Sequence, residues 1–423
     1  MLKAFVNAFK IPDLRKKILF TLGIIAVFRF GSHVPVPNID LSKLQEVRNA
    51  ASQQGLSALQ FIDLFSGGAL TNFAVFALGI MPYITSSIIM QLLTVVIPKL
   101  EQWQKQGEIG IKKITQWTRY MTVTLALLQS TGLVFLFHNQ FQVVRQFTAP
   151  RVALIVITLT AGTAMIMWLG ELITQRGIGN GMSILIFTSV ISRLPAEGAA
   201  ILRQAGEAKF LFLLGLGVAI ILAVVFMEQG QRRIPVQYAK RVVGRRMTSG
   251  GSTYIPLKVN QAGVIPIIFA SSVLYFPTLL QNVIHADWFQ RFINGVLLRH
   301  SSVLYMLIYG MLVVFFAYFY TAISFNPIDT ADNIRKYGGF IPGIRPGRPT
   351  AEYLSNVLNR ITLPGSLFLA AIALIPSIFL AIWAITAFPF GGTSILITVG
   401  VALETMKQLE SQLMMRHYEG FLR

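Results

Sequence analysis

The sequence contains no cysteine and few charged residues. The absence of cysteine in this 423-residue chain excludes disulfides, thiolate metal sites and a catalytic cysteine. Charged residues make up 13% of the chain, whereas soluble domains carry about 25%. Hydrophobic residues make up 54%. This composition indicates a membrane protein that crosses the bilayer several times.

The motifs of the common catalytic sites are also absent. The sequence has no GxxxxGK[ST] phosphate loop, no HExxH zinc motif and no Ser-His arrangement typical of a hydrolase. The GIGNG run at 177–181 lies between two apolar segments and predicts a tight turn. We therefore expect no enzyme activity, no cofactor and no metal. The five histidines are scattered without metal-ligand spacing, at His33, His138, His285, His300 and His417.

Few ionisable residues lie inside the apolar runs. Arg29 and Glu171 fall near the ends of such runs and Glu404 in the inner half of the tenth, and we expect Arg29 to extend towards the membrane interface. A transporter coupled to protons or sodium would be expected to carry more charge at membrane depth. This scarcity weakens the interpretation as a secondary transporter but leaves it open.

Hydropathy predicts ten membrane spans, and the fold class is therefore an all-α polytopic membrane protein. A span needs about 20 apolar residues, and the fifth run is shorter than that. The predicted spans are Ile18–Val36, Phe76–Ile97, Arg119–Phe137, Val152–Leu172, Met182–Leu194, Phe210–Met227, Ala262–Val283, Val303–Ser324, Leu363–Phe388 and Thr393–Leu413.

The basic residues predict the orientation of these spans. If the N-terminus is cytoplasmic, the cytoplasmic segments hold 26 of the 36 Lys and Arg residues. Cytoplasmic loops of membrane proteins carry such an excess. We therefore expect both termini in the cytoplasm.

A short polar segment divides the predicted spans into two groups of five. Residues 195–209 separate an N-terminal half, 1–194, from a C-terminal half, 210–423. An odd number of spans in each half gives the halves opposite orientations, as in inverted repeats. We therefore expect two pseudo-symmetric five-helix halves, joined by a hinge loop at 195–209, around a central pore.

One segment near the N-terminus does not fit a simple span. Residues 61–73 are half-apolar, contain the pair Gly67-Gly68, and run directly into the second span. Apolar segments of about 10–14 residues are more often re-entrant or buried than spanning. Non-helical backbone at membrane depth is tolerated only inside protein or beside a water-filled cavity. The segment therefore predicts a cavity that holds a short plug.

Two long loops on the predicted cytoplasmic side, 228–259 and 325–362, carry many of the basic residues. Loops of this length are usually functional or disordered, and GGFIPGIRPGRP in the second loop predicts a defined turn. The positive-inside rule and anionic lipid explain part of this charge. Its concentration on two loops favours a docking platform for a large cytoplasmic partner, and a ribosome would suit a basic surface.

Several long motifs resemble the SecY family of protein-conducting channels, in order and along essentially the whole chain. FSGGAL and ALGIMPYITSSIIMQLLTVV are similar to the plug and second span of that family, and RGIGNGMSILIF follows the fourth span. QRRIPVQYAKR and FNPIDTADNIRKYGGFIPGIRPGRPTAEYL resemble its two long cytoplasmic loops. PLKVNQAGVIPIIFASSVLYFP and GGTSILITVGVALETMKQLESQL resemble its seventh and tenth spans.

The resemblance implies a channel without catalytic chemistry in the cytoplasmic (inner) membrane of a bacterium. It would pass unfolded preproteins across the membrane and release membrane-protein segments sideways into lipid. The implied partners are the small subunits SecE and SecG, the SecA motor ATPase, the ribosome and signal sequences. A secondary transporter for a small solute remains the alternative. A non-transporting scaffold would need neither a plug nor a glycine hinge.

The resemblance also implies roles for individual residues. The pore constriction would be an apolar ring of Ile80, Ile84, Met182, Ile186, Ile268, Val273 and Ile397. The plug, residues 62–71, would include Phe65, Ser66, Gly67 and Gly68. The lateral gate would contain Thr85, Ser87, Gln91, Ser271 and Ser272, although hydroxyl residues in spans also serve ordinary helix packing. Docking of the motor or ribosome would use Arg232, Arg233, Lys240, Arg241, Arg245, Arg246 and Arg345.

Overall fold

The described chain is a helical bundle with a small β-structure. The computed structural model describes residues 9–40, 42–43, 63, 65–238, 241–243, 246–248, 252–280, 286–293, 295, 302–382 and 392–421. The helices are α1 (Pro12–Gly31), α2 (Met81–Val96), α3 (Pro98–Lys105), α4 (Glu108–Phe141), α5 (Ala149–Arg176), α6 (Gly181–Gln229), α7 (Ile265–Leu280), α8 (Asp287–Phe292), α9 (Val303–Ser324), α10 (Pro327–Lys336), α11 (Arg348–Ile382) and α12 (Gly392–Phe421). The strands are β1 (Gln231–Tyr238), β2 (Arg241–Val243), β3 (Arg246–Thr248), β4 (Ser252–Lys258) and β5 (Gly339–Phe340).

The helix lengths agree with the predicted spans in part. Six of the described helical segments are long and apolar enough to cross a membrane, and the number becomes seven if α2 and α3 are one span bent by 100°. Other predicted spans fall short for simple reasons. The helix α1 carries charged residues at both ends, and α7 has 16 residues. The count of ten spans is consistent with the fold and stays a prediction.

The helices α1 and α2 show how the predicted spans differ from the helices at their ends. The helix α1 ends at Gly31 rather than Val36, and Pro35 and Pro37 follow it in chain that is not helical. The helix α2 begins at Met81 rather than Phe76, because Gly79 adopts a left-handed φ of 56° just before it. Glycine is the residue that takes such a φ without steric cost.

The predicted hinge loop at 195–209 is instead a break between two helical segments. The helix α6 continues through Pro195 and departs from helical geometry at Gly206, with φ 77° and ψ 169°. The polar side chains that suggested a loop therefore belong to the ends of two helical segments. The division of the chain into two halves at this position stays a prediction.

The helices follow the same order of neighbours in two groups. In the first group, α2 packs on α4, α4 on α5, and α5 on α6. In the second group, α7 packs on α9, α9 on α11, and α11 on α12. The groups meet where α12 packs on α6 and where α7 contacts α2. A single buried apolar cluster includes residues from both groups.

The two long basic loops form one small domain. The strand β1 pairs antiparallel with β4, with Gln231 opposite Lys258, and its end pairs with β5, with Gln237 opposite Phe340. The inward residues of this sheet pack with residues from α10 and α11 in a separate apolar core. The buried members of that core are Ile234, Val236, Leu257, Ile334, Ile341 and Leu354.

A matched pair of glycines tests the packing of α5. A Cβ on Gly162 would lie 2.1 Å from the carbonyl oxygen of Val75, whereas a Cβ on Gly132 in α4 would meet nothing within 4 Å. We expect Gly162→Ala to lower the free energy of unfolding by about 1–3 kcal/mol, because overpacking a dense core has that cost. We expect Gly132→Ala to raise it by up to about 1 kcal/mol, because alanine favours helix. Thermal unfolding in detergent measures both, and equal midpoints would contradict the close approach.

Candidate functional site

The segment before α2 is buried although most of it is not helical. Residues 65–66 are helical and residues 67–80 are mainly turns. Phe65, Leu70 and Phe73 are at most 1% exposed. The Val36 amide donates to the Phe73 carbonyl at 3.0 Å, and the Val75 amide donates to the Val34 carbonyl at 2.9 Å. The segment is thus fixed to the chain that follows α1. Residues 62 and 64 of the predicted plug lie outside the described residues.

The pair Gly67-Gly68 has a conformational reason. Their φ angles are 65° and 91°, which place both residues in the left-handed region that favours glycine. The Gly68 amide donates to the Asp63 carbonyl at 3.1 Å. The two glycines therefore turn the chain back through the core after Ser66.

The predicted plug segment, residues 62–71, packs near two of the predicted ring positions. A Cβ on Gly79 would be 3.0 Å from the Phe65 carbonyl oxygen, and Gly79 directly precedes Ile80. A Cβ on Gly67 would be 3.1 Å from the Cα of Ser189, which lies three residues after Ile186. The segment therefore packs against the start of α2 and against the first part of α6.

Asp63 organises the polar groups of this segment. Its side chain is 1% exposed, and its Oδ1 accepts the Thr71 amide at 3.0 Å. The Ser66 hydroxyl donates to the Asp63 carbonyl at 3.2 Å and accepts the Leu70 amide at 3.2 Å. These bonds pair polar groups that have no helix to satisfy them.

Two arginines contact the plug segment. The Arg29 Nη1 donates to the Gly67 carbonyl and to the Ser192 hydroxyl, each at 2.9 Å, and the extension of Arg29 towards the membrane interface stays a prediction. Arg193, on α6, forms an ion pair with Asp63. Sequence reasoning missed both contacts. The available signal was an acidic residue inside an apolar segment, since such a charge needs a basic partner.

Most of the predicted ring residues belong to one apolar cluster. Ile80, Ile84, Ile186, Ile268 and Ile397 are buried members of this cluster, which also contains Phe65. They come from α6, α7, α12 and the start of α2, which are the elements that the prediction named.

Two predicted ring residues lie differently. Val273 is 41% exposed and is outside this cluster. Met182 is half-buried, and its sulfur lies close to Gly170 of α5, where a Cβ would be 2.5 Å away. Five of the seven predicted residues are thus buried in the main apolar core, and their arrangement as a ring stays a prediction.

The predicted gate residues have mixed surroundings. Ser271 shares a hydrogen bond of 3.3 Å with the Tyr309 hydroxyl, which joins α7 to α9 rather than to α2. The Ser272 and Thr85 hydroxyls donate to carbonyls one turn earlier in their own helices, at 2.8 and 2.9 Å. Ser87 and Gln91 are half-exposed on α2.

The predicted docking residues lie on the small domain of two loops. Arg232, Arg233 and Arg345 are exposed, and the Arg233 guanidinium lies 4.8 Å from the centre of the Tyr254 ring. The Arg345 carbonyl accepts the Thr350 hydroxyl at 2.9 Å, which fixes the turn. Arg241 and Arg246 lie in strands β2 and β3, and Lys240 and Arg245 fall outside the described residues.

Comparison with known proteins decides the family. The family model for SecY matches residues 74–406. The protein translocase subunit SecY of Streptomyces coelicolor is 57% identical over 440 aligned residues, which cover 100% of both chains. The chain belongs to the SecY family. It is a protein translocase subunit of the protein-conducting channel type, and this assignment is supported over the small-solute transporter.

Solved SecY-type structures share the fold. A structure that describes how the plug domain of a SecY protein stabilises the closed channel matches with a TM-score of 0.62 at 16% identity. Sec61 in a canine ribosome–channel complex matches with a TM-score of 0.60 at 16% identity. Each alignment covers 96% of this chain and 96% of the compared chain. The all-α fold of a SecY/Sec61 channel is thus confirmed.

The exposure difference between Ile268 and Val273 gives a test of the ring. We expect Ile268→Asn to make the closed channel conduct ions. A narrow apolar constriction blocks ions because it excludes water, and a polar amide in the constriction would allow water to enter. We expect Val273→Asn, on the same helix but 41% exposed, to leave the seal unchanged. Ion flux from proteoliposomes measures both, and an intact seal in Ile268→Asn would contradict the ring.

Proposed function

We propose that a translocating polypeptide passes through the ring of Ile80, Ile84, Ile186, Ile268 and Ile397, and that the segment 62–71 is the plug of this path. The observation that carries the proposal is the position of the plug segment. It is buried in the same apolar cluster as the ring residues and packs beside Ile80 and close to Ile186.

An apolar ring suits both states of such a channel. When closed, its narrow apolar walls exclude water and ions. When open, the same walls offer no hydrogen bonds to a passing chain, so a polypeptide of any sequence can slide through. The five residues have aliphatic side chains that pack tightly without polar groups to satisfy.

We propose that the lateral gate opens between α2 and α7. These helices are in contact, and they belong to different groups of neighbours. The Ser271–Tyr309 bond joins α7 to α9, so the two helices would move together. Thr85, Ser87 and Gln91 on α2, with Ser272 on α7, stay candidates for the gate lining. The break at Gly206 supports a hinge on the connection between the two proposed halves, 1–194 and 210–423.

The partners and the membrane orientation are also proposals. The exposed basic residues of the small domain suit a motor ATPase of the SecA type or a ribosome, and a ribosome-bound Sec61 shares the fold. The relative named above is bacterial, which supports the cytoplasmic membrane as the location. We propose SecE and SecG as neighbouring subunits and both termini in the cytoplasm. Energy would come from the motor or from translation rather than from catalysis by this chain.

A crosslinking experiment tests the path. The chain has no cysteine, so Ile268→Cys introduces a single reactive thiol. This variant is reconstituted with the small subunits, the motor and ATP, and a precursor with one cysteine is stalled during transport. We expect a disulfide between channel and precursor that requires both ATP and a signal sequence.

The matched control for this crosslink is Val273→Cys, which is exposed outside the apolar cluster. It should crosslink much less. If no crosslink forms at position 268, 80 or 397 while the precursor is shown to be stalled, the polypeptide does not pass through the proposed ring.

Arg345 is the docking residue with the most direct test. It is exposed at the turn between β5 and α11. We expect Arg345→Glu to reduce motor-driven transport to about a tenth or less, because reversing one contact charge commonly costs more than 1.4 kcal/mol. Arg348→Glu is the control, since Arg348 lies three residues away and pairs with Glu352 of its own helix at 3.1 Å. ATP-dependent transport into vesicles measures both, with the folded amount of channel checked. An equal loss of transport in both variants would mean that the total charge of the loop matters, and it would contradict a specific role of Arg345.

A further inference from the structure

The plug segment contains a buried charge that an apolar seal does not need. Asp63 is 1% exposed, and its ion-pair partner Arg193 is 22% exposed. A buried carboxylate is costly unless a basic group and hydrogen bonds compensate it. Here the compensation comes from Arg193 on α6 and from polar groups of the plug segment itself.

A second arginine reaches the same segment from another helix. Arg29 on α1 donates from one nitrogen to the Gly67 carbonyl and to the hydroxyl of Ser192, the neighbour of Arg193. The segment is therefore held by basic side chains from α1 and α6. Moving it out of the core requires the ion pair and the Arg29–Gly67 bond to break.

We propose that the Asp63–Arg193 pair, assisted by Arg29, latches the plug and sets the stringency with which the channel selects signal sequences. The proposal rests on the plug role proposed above. A signal sequence shifts the channel towards the open state only by as much as its binding differs between the two states. A stronger latch therefore demands a better signal sequence before the plug is released.

The pair makes an asymmetric prediction for single variants. Arg193→Gln leaves the more deeply buried member, Asp63, without its partner. This variant should therefore destabilise the closed state more than any other single variant of the pair. Asp63→Asn leaves Arg193 without its partner, but Arg193 is partly exposed and can be hydrated. The closed state should therefore be destabilised less. The double variant Asp63→Asn/Arg193→Gln contains no uncompensated buried charge, and such double replacements are often close to neutral.

The experiment measures transport of a precursor with a defective signal sequence, together with ion leak from proteoliposomes. We expect Arg193→Gln to raise this transport about tenfold, the effect of a 1.4 kcal/mol shift in the opening equilibrium. Asp63→Asn and Arg29→Gln should raise it less, and the double variant should return towards the original value. Arg193→Lys should keep most of the stringency, because it keeps the charge.

The control is Arg145→Gln, which removes an exposed arginine. The backbone amide of Arg145 donates to the Asn38 carbonyl, and this bond does not depend on the side chain. It should behave like the original chain. If Arg193→Gln does not fold, Asp63→Asn decides the question alone. Original stringency in Asp63→Asn, or a double variant no better than Arg193→Gln, would overturn the latch.

A disulfide separates failure of the latch from failure of the plug. A Cβ on Gly67 would lie 3.3 Å from the Cβ of Ser189, close to the separation found in disulfides of about 3.5–4.5 Å. Gly67→Cys with Ser189→Cys, once oxidised, should block transport, and reduction should restore it. Each single substitution serves as a control for strain at Gly67. Transport through the oxidised channel would contradict the plug assignment. If the oxidised channel is blocked but the Asp63 and Arg193 variants keep the original stringency, only the latch is contradicted.

Discussion

The structure depends on satisfying backbone polar groups away from water. A helix does this internally, but the segment from Phe65 to Ile80 is mostly turns within an apolar core. Its amides and carbonyls therefore need other partners. The Asp63 carboxylate, the Ser66 hydroxyl and the Arg29 guanidinium provide them. The buried charge of Asp63, the ion pair with Arg193 and the left-handed glycines all follow from this requirement.

The same segment is held by two kinds of interaction with different properties. Phe65 and Leu70 contribute apolar burial, which is not directional and tolerates small shifts. The Asp63–Arg193 pair and the Arg29–Gly67 bond are directional, and they are lost once their atoms separate. A channel that must seal against ions yet open for many polypeptides gains from this combination. In the proposed channel, the apolar contacts would provide the seal and the polar contacts would define one position of the plug.

Several features could be predicted from the sequence because their signals are local. Apolar runs located most helices, and the Gly67-Gly68 pair marked a non-helical turn. The acidic residue Asp63 indicates a basic partner, but Arg193 could not be identified as that partner, because the two residues lie 130 positions apart and share no pattern. The pairing of Gln237 with Phe340 has no local signal for the same reason. The break in α6 resembled a loop, because polar helix ends and loops have similar compositions.

The joint domain of the two basic loops has a mechanical consequence. The helix α11 begins just after the exposed Arg345, and its Gly365 lies against the Val259 carbonyl, where a Cβ would be 2.5 Å away. The Val259 amide in turn donates to the Gly230 carbonyl at 3.0 Å, and Asn260 donates to Glu228 at 2.5 Å. Val259 and Asn260 lie at the start of the connection from β4 to α7, the helix proposed for the gate. If a partner docks at Arg345 and α7 is the gate helix, as proposed, these contacts give a physical route by which the partner would displace the start of α7.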